Sequence, residues 1–473
     1  MKARIFAHFA LMNLFAALVA SLPATGQDGN NLSSPPHNVH YVVKDLGTLG
    51  GTSGVAEGIS DRGWVVGSAN LAGDLNEHAF LWRDGVKTDL GTGTLGGPNS
   101  QVQWAVNDNR GLIVGDAELL QADPYNEDFC GFDRTGGLPP TGLICVGFLW
   151  EEGVMTALPT LGGNNARAIG VNNLGQVVGI AEKSTESGCY APTSPQVFDV
   201  EAVIWGPRAG QIQTLPHLPG DATSWATGIN DRQQVVGVSG DCASPNLTEP
   251  VPQHGVIWQN GTVTTLGSLG GTLETFPWAI NSKGQVVGDS SIPCMPDSSG
   301  NCVIHIHAFL WEEGTMRDLG VLLGDTDSIA FGLNDKGEVV GGSLSQSSAR
   351  AFLWQNGMIT DLNSLVTPGS TPLYLLLGND INSRGEIATY AFDQSNGEYH
   401  AALVIPCDEQ HTDISACAET TATVAQTTAT VTVAPATSAN PKVTLPENVR
   451  DQLRRRLGLA RFGGGPMKLQ QPN

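Results

Sequence analysis

Between residues 328 and 365 the chain alternates short apolar runs with polar breaks: IAFGLN, then NDKG, then EVVGG and a loop, then RAFLW, QNG and MITDL. Short runs rich in Val, Ile, Phe and Trp, bounded by Gly and Asn, predict β-strands. The first break recurs as SDRG (60–63), NNLG (172–175), NSKG (281–284), NDKG (334–337) and NSRG (382–385). Asn or Ser at its first position can bond forward to the turn backbone. Glycine at its last position can take the positive φ that closes a three-residue hairpin loop with a bulge. The second break recurs as RDG (83–85), EEG (151–153), QNG (259–261), EEG (312–314) and QNG (355–357), each directly after a tryptophan. Each unit therefore reads as two tight hairpins joined by a longer loop, a four-stranded antiparallel meander.

Two copies of the first turn depart from the pattern. NDNRG (107–111) carries one extra residue, and NDRQ (230–233) places Gln233 where glycine is expected. Gln233 is predicted to adopt a left-handed or distorted conformation at a cost of about 1 kcal/mol. The turn residues Ser60, Asn107, Asn172, Asn230, Asn281, Asn334 and Asn382 lie roughly 50 positions apart, a period that suits propeller blades.

The third strand carries the strongest pattern. It reads HAFLW at 78–82 and 307–311, GFLW at 147–150, AVIW at 202–205, GVIW at 255–258, AFLW at 351–354 and HAAL at 400–403. Phe and Trp point to one face and Ala and Leu to the other. Both faces are apolar, so each sheet must be covered on both sides, and blades packed around an axis achieve this for every sheet. The first strand keeps one face small, at Gly58, Ala105, Gly170, Gly228, Ala279 and Gly332 and at Ala56, Ala168, Ala226 and Ala330. This suits the crowded innermost position.

The ends of the repeat region complement each other. HYVVKDLGTLGG (40–51) matches the last strand of a unit, whereas HAALVIP (400–406) is a third strand with no fourth after it. Pairing them closes the ring and removes an open sheet edge. The expected fold is all-β: a seven-bladed β-propeller over 38–407, with the N-terminal strand completing the last blade.

The segments HAFLW, INxxGxVVG and TDLGTLGG resemble the repeats of extracellular HAF-repeat proteins, and the likeness covers nearly all of 40–407. The resemblance implies export and a repeat β architecture, and it supplies no catalytic residues to transfer. The copies at 202–205 and 255–258 read as having lost both the His and the Phe of the tripeptide.

Outside the repeats, composition divides the chain. Residues 1–26 read as a secretory signal peptide, with Lys2 and Arg4 before an apolar run and small residues near the cut, and 27–37 as a short leader. LPATG at 22–26 matches a sortase signal, but it stands at the wrong end of the chain. Residues 408–445 form a Thr/Ala-rich linker, and 446–473 a basic helix and tail carrying Arg454, Arg455 and Arg456. The formal net charge of −22 argues against nucleic acid as a partner, since an acidic surface repels a phosphate backbone. No later apolar run is long enough for a membrane span. The protein is expected to be a monomer outside the cytoplasm, extracellular or periplasmic.

Strand alternation places the tight turns at one end of the ring, the turn end. The LGG connections and the variable loops from second to third strand lie at the other, the loop end. Variable loops on a rigid scaffold are where binding develops. The eight cysteines fall mostly in those loops, as expected for disulfides in an exported chain. Aligned by unit, they pair as Cys130–Cys145, Cys189–Cys242, Cys294–Cys302 and Cys407–Cys417.

Metal candidates are sparse. His305 and His307 share a strand face, and Asp221, Asp325 and Asp327 follow the connections between units and could offer oxygen ligands to calcium. No nucleophile elbow, HExxH, Walker loop or dinucleotide fingerprint is present. No cofactor and no catalytic residue is therefore expected. The sequence favours a binding module for a glycan or protein on the loop end. The alternative is a glycoside hydrolase or lyase using carboxylates near the axis. Acids converging on an open pocket would favour the enzyme, and a plugged centre lined by Ala and Gly the module.

Overall fold

The computed structural model describes residues 40–102, 111–127, 129–132, 138, 141–186, 198–208, 210–240, 253–296, 302–367 and 370–411, together with positions 417, 443, 445, 447 and 450. The signal peptide, the leader, the Cys189–Cys242 pair, Asn107 and nearly all of the linker and basic tail lie outside the described residues.

Seven four-stranded antiparallel sheets form the blades of a β-propeller. Blades 1 to 6 occupy 50–89, 96–157, 162–214, 223–265, 275–320 and 327–361, each with its strands in sequence order. Blade 7 takes three strands from 373–406 and its fourth from Tyr41–Gly47. That strand pairs antiparallel with Tyr399–Pro406, Tyr41 facing Pro406 and Asp45 facing Ala402. The Cys407 N–H donates to His40 O at 2.7 Å, and the Tyr41 N–H donates to Leu365 O at 2.9 Å. The chain's beginning is thus stitched to the end of the repeat region, and blade 1 packs against blade 7.

The second and third strands are largely dry on both faces, while the outermost fourth strands are mostly exposed. Val286–Ser291, the second strand of blade 5, is buried at every position. In the third strands Phe80, Phe148, Phe309 and Phe352 are all fully buried, as are Ala79, Ala308 and Ala351 on the opposite face. First strands of successive blades touch one another and allow no bulk between them. A Cβ added at Gly332 would stand 2.7 Å from Asp380 Cα, and one at Gly170 would stand 3.3 Å from Gly228 Cα.

The VVG glycine of the second strand has its own cause. The first strand carries a β-bulge opposite it, as between Ala330 and Gly332 in blade 6. The bulge drives a carbonyl oxygen toward the second strand. A Cβ at Gly341 would fall 2.0 Å from Ile329 O, and one at Gly237 the same distance from Trp225 O. Blade 7 places Thr389 here and shows a different pair of register shifts, between Leu375 and Leu377 and between Gly378 and Asp380.

The turns follow the sequence. Gly63, Gly175, Gly284, Gly337 and Gly385 have φ between 78° and 86°, and Gln233 takes φ 61° in the same role. In the second turn the residue before glycine is also left-handed: Asp84, Glu152, Asn260, Glu313 and Asn356 have φ between 48° and 53°. Two successive positive φ values make the type I′ turn that matches the twist of a hairpin.

Candidate functional site

The turn end is built from one side chain used repeatedly. The Oδ1 of Asn281 accepts the N–H groups of Lys283 and Gln285, both at 3.0 Å, and so caps its own turn. Its Nδ2 crosses to the next blade and donates to Asn334 O at 3.1 Å. The same bond runs from Asn172 to Asn230 O, from Asn230 to Asn281 O, from Asn334 to Asn382 O and from Asn382 to Ser60 O. A second layer reinforces it. Asp231 accepts from the Asn173 N–H, Asp335 from Ser282 and Asp61 from Ser383. These residues line the depression at the axis, but their polar groups are committed to neighbouring blades. The turn end is a collar.

The histidine of the HAF tripeptide also serves the scaffold. His78 Nδ1 meets Asp89 at 2.9 Å, His307 meets Asp318 at 2.9 Å, and His400 meets Asp45 at 2.9 Å across the ring closure. In each case the carboxylate comes from the fourth strand of the same blade, the TDL position. Arg350 holds this place in blade 6 and binds Asp361 at 3.2 Å. Blade 4 corrects the sequence reading. His254 lies opposite Ser239, in the same register as His307 opposite Ser290, so the 255–258 copy lacks the Phe but retains the base. Its fourth strand offers Thr265 in place of Asp, and His254 turns to Asp221 at 3.1 Å.

The candidate metal ligands are drawn into the same fabric. His305 faces Asp327 at 3.2 Å, whose carboxylate also accepts the Ile306 N–H at 3.0 Å. His307 is paired with Asp318. Asp325 binds Arg350 at 2.6 Å and accepts the Ser343 hydroxyl at 2.9 Å, and Asp221 accepts the Ser239 hydroxyl at 2.6 Å. These five residues do not converge. Among the described residues no group of His, Cys, Asp and Glu has the geometry to hold a metal.

The loop end differs. It carries the disulfides Cys130–Cys145 and Cys294–Cys302, and Cys407–Cys417 follows the last strand. All three pairings match the expected ones. The first strands here carry more than Ala and Gly. Trp225, Phe276, Trp278 and Phe331 of the first strands of blades 4 to 6 touch in series, with centroids 5.8, 4.2 and 5.8 Å apart. Glycine and alanine at the close approaches gave no warning of aromatics at the positions between them.

Blades 1 to 3 bury a row of carboxylates at this end. Asn99 Nδ2 donates to Glu118 at 2.8 Å while its Oδ1 accepts the Glu77 N–H at 3.0 Å. Asn165 repeats the device: its Oδ1 accepts the Cys145 N–H, and its Nδ2 reaches Asp123, Glu127 and Glu182 at 2.8, 3.0 and 3.1 Å. Burial pushes the Glu77 carboxyl up to about 8. Burial and then the charge of Glu127 push Glu182 to about 8. Asp116 rises to about 6 through burial, against the pull of Arg167, whose Nε lies 2.9 Å away.

Above this acidic row the rim is apolar. Leu75 and Leu120 are each 76% exposed, and both flank one connection. Asn76 donates to Pro98 O at 3.3 Å, and Leu120 lies 3.3 Å from the Cβ position of Gly96. Tyr125, also exposed, packs edge-on against Phe198 with centroids 5.0 Å apart. Periodicity could not mark this rim, because it stands in the loops that differ from blade to blade.

No known family model and no curated protein matches the chain. Among solved structures it is similar to an acylaminoacyl peptidase of Pyrococcus horikoshii, with 13% identity over 74% of this chain and 52% of that one and a TM-score of 0.40. It is similar to a sialidase of Trypanosoma rangeli, with 9% identity over 86% of this chain and 65% of that one and a TM-score of 0.36. It is also similar to an ulvan lyase from a polysaccharide lyase family, with 10% identity over 77% of this chain and 93% of that one and a TM-score of 0.38. The chain thus spans about half the length of the peptidase.

Proposed function

We propose that this chain is an exported HAF-repeat propeller acting as a binding module, with its ligand, a glycan or a protein, held on the loop-end rim of blades 1 to 3. The observation that carries the reading is the contrast between the two ends. At the turn end polar side chains are consumed by bonds between blades. On the loops of blades 1 and 2, Leu75, Leu120 and Tyr125 are each exposed, and exposed apolar groups among polar ones suit an interaction surface. Export is supported by the N-terminal pattern and by the three disulfides among the described residues. Among those residues no helix is long and apolar enough to cross a membrane.

A second reading, an extracellular carbohydrate-active enzyme, is favoured by one pair. Burial, and then the charge of Glu274, hold Asp289 well above the usual carboxylate range, and Glu274 lines a groove with His254 and Thr275. A buried carboxyl that holds its proton beside a second acid suits acid–base work. Asp289 is buried, however, and its Oδ1 accepts the Trp278 Nε1–H at 2.7 Å.

Glycan and protein arrays probed with the full chain, with turnover assayed on every glycan bound, separate the two readings. The module reading expects binding without turnover, abolished by Leu120→Asp and unchanged by Asp289→Asn. Turnover that Asp289→Asn or Glu274→Gln removes would replace it with the enzyme.

A further inference from the structure

Leu445 stands far beyond the last strand of the repeat region, Tyr399–Pro406, yet it is 1% exposed. With Val443 it belongs to an apolar cluster that includes Leu344, Ala349, Tyr374 and Tyr399. Those residues sit at the loop end of two adjacent blades. Leu344 closes the second strand of blade 6 and Ala349 opens its third. Tyr374 lies in the first residues of blade 7, and Tyr399 opens that blade's third strand.

Polar bonds hold the segment at the same place. The Leu445 N–H donates to Ser347 O at 3.0 Å. Arg450 Nη1 donates to Gln346 O at 3.3 Å. One groove therefore receives an apolar side chain, a main-chain donor and, from a residue in helical conformation, a cation.

We propose that the loop-end groove between blades 6 and 7 is a receptor for an apolar peptide, and that the chain's own tail around Val443 and Leu445 is its resident, exchangeable occupant. Exchange follows from the attachment. Val443 and Leu445 belong to no strand, unlike Tyr41–Gly47, which is paired along its length. It is tethered through residues 418–442, a stretch whose full extension is roughly 85 Å. A tether of this kind supplies an effective concentration on the order of millimolar. Weak docking is then saturated within one molecule, while a tighter external peptide can displace it. The groove lies on different blades from the rim at blades 1 to 3, so this inference does not depend on what that rim binds.

The test uses a fluorescent synthetic peptide with the sequence of residues 441–452 and measures its anisotropy against the full-length chain and its Leu445→Asp variant. The variant, whose own tail no longer competes, is expected to bind the peptide about tenfold or more tightly than the unaltered chain. A peptide carrying Leu445→Asp is expected not to bind. Equal binding to the unaltered and Leu445→Asp chains would overturn the proposal. So would binding to neither while both melt as folded proteins. A dimeric unaltered chain made monomeric by Leu445→Asp would overturn the intramolecular assignment and give the groove to the tail of a second copy.

Discussion

At the turn end, blades 3 to 7 and blade 1 join their first two strands through the same short loop, and in blades 3 to 7 its Asn hands a bond to the next blade. At the loop end, the connection from second to third strand runs from residues 72–76 in blade 1 to 123–142 in blade 2. One end repeats because each copy must fit its neighbour on both sides. The other varies because its bonds to neighbouring blades, such as that of Asn165 to Asp123, are not required to repeat from blade to blade. Identical residues in a repeat protein are therefore first to be read as joints, and irregular ones as the places where function can differ.

This contrast can be broken most forcefully by adding one carbon. Gly341→Ala, whose Cβ would collide with Ile329 O, is expected to cost about 3 kcal/mol or more in urea melts. Gly73→Ala at the loop end meets nothing within 4 Å and strains only its φ of 90°, so about 1 kcal/mol is expected. Equal losses would mean that the bulge does not need the glycine. Next in size is the collar. Asn281→Ala removes two turn bonds and the bond to blade 6, and about 2 kcal/mol is expected. The long, part-buried bond of Asn76 to Pro98, at 3.3 Å, makes Asn76→Ala worth about 0.5 kcal/mol.

The pH dependence separates the two ends further. Glu77 binds its proton more tightly folded, at about 8, than at its ordinary value of 4.5. The folded state therefore holds the extra proton between those values, and stability falls as pH rises through that window. His400 acts in the same direction. Its hydrogen bond to Asp45 outweighs burial and raises it, so its contribution is complete below its unfolded value near 6.5 and is lost as pH rises through the folded one. Burial works to raise Asp45, but His400 and its other partners outweigh it and leave it lowered. Its contribution is present above the ordinary Asp value and is lost only as pH falls through the lowered one. The chain should therefore be more stable at pH 5.5 than at 7.5, by about 1–2 kcal/mol from Glu77. Glu77→Gln should flatten that slope, and an unchanged slope in chemical-denaturation curves would reject the assignment. Smallest are the strained turn residues. Gln233→Gly and Glu313→Asn, at φ 61° and 48°, are each expected to stabilise by about 0.5–1 kcal/mol, and no gain in either would count against the left-handed assignment.

Much of the ring was legible in the sequence because it depends on local rules repeated many times. Turn glycines, strands apolar on both faces and the missing fourth strand of blade 7 each left a pattern. What escaped were partners across distance. Nothing near Asn281 reveals that its amide reaches Asn334 O, or that His78 faces Asp89 rather than a metal. Asp325 reads as a calcium ligand until Arg350 is found beside it. His254 was hidden because its blade had lost the Phe that frames the tripeptide. The aromatics at the axis and the burial of Leu445 follow no period, since each arises from one contact and not from the repeat.

The central claim is that sheets whose second and third strands are largely dry on both faces are satisfied only by a closed ring, sealed by Tyr41–Gly47 in blade 7. Amide hydrogen exchange followed by mass spectrometry tests it directly on the unaltered chain. Peptides covering Tyr41–Gly47 should be as protected as those covering Tyr399–Pro406, and both should lose protection together as denaturant is raised. Exchange of 41–47 within seconds while 399–406 stays protected would show an open ring and contradict the account.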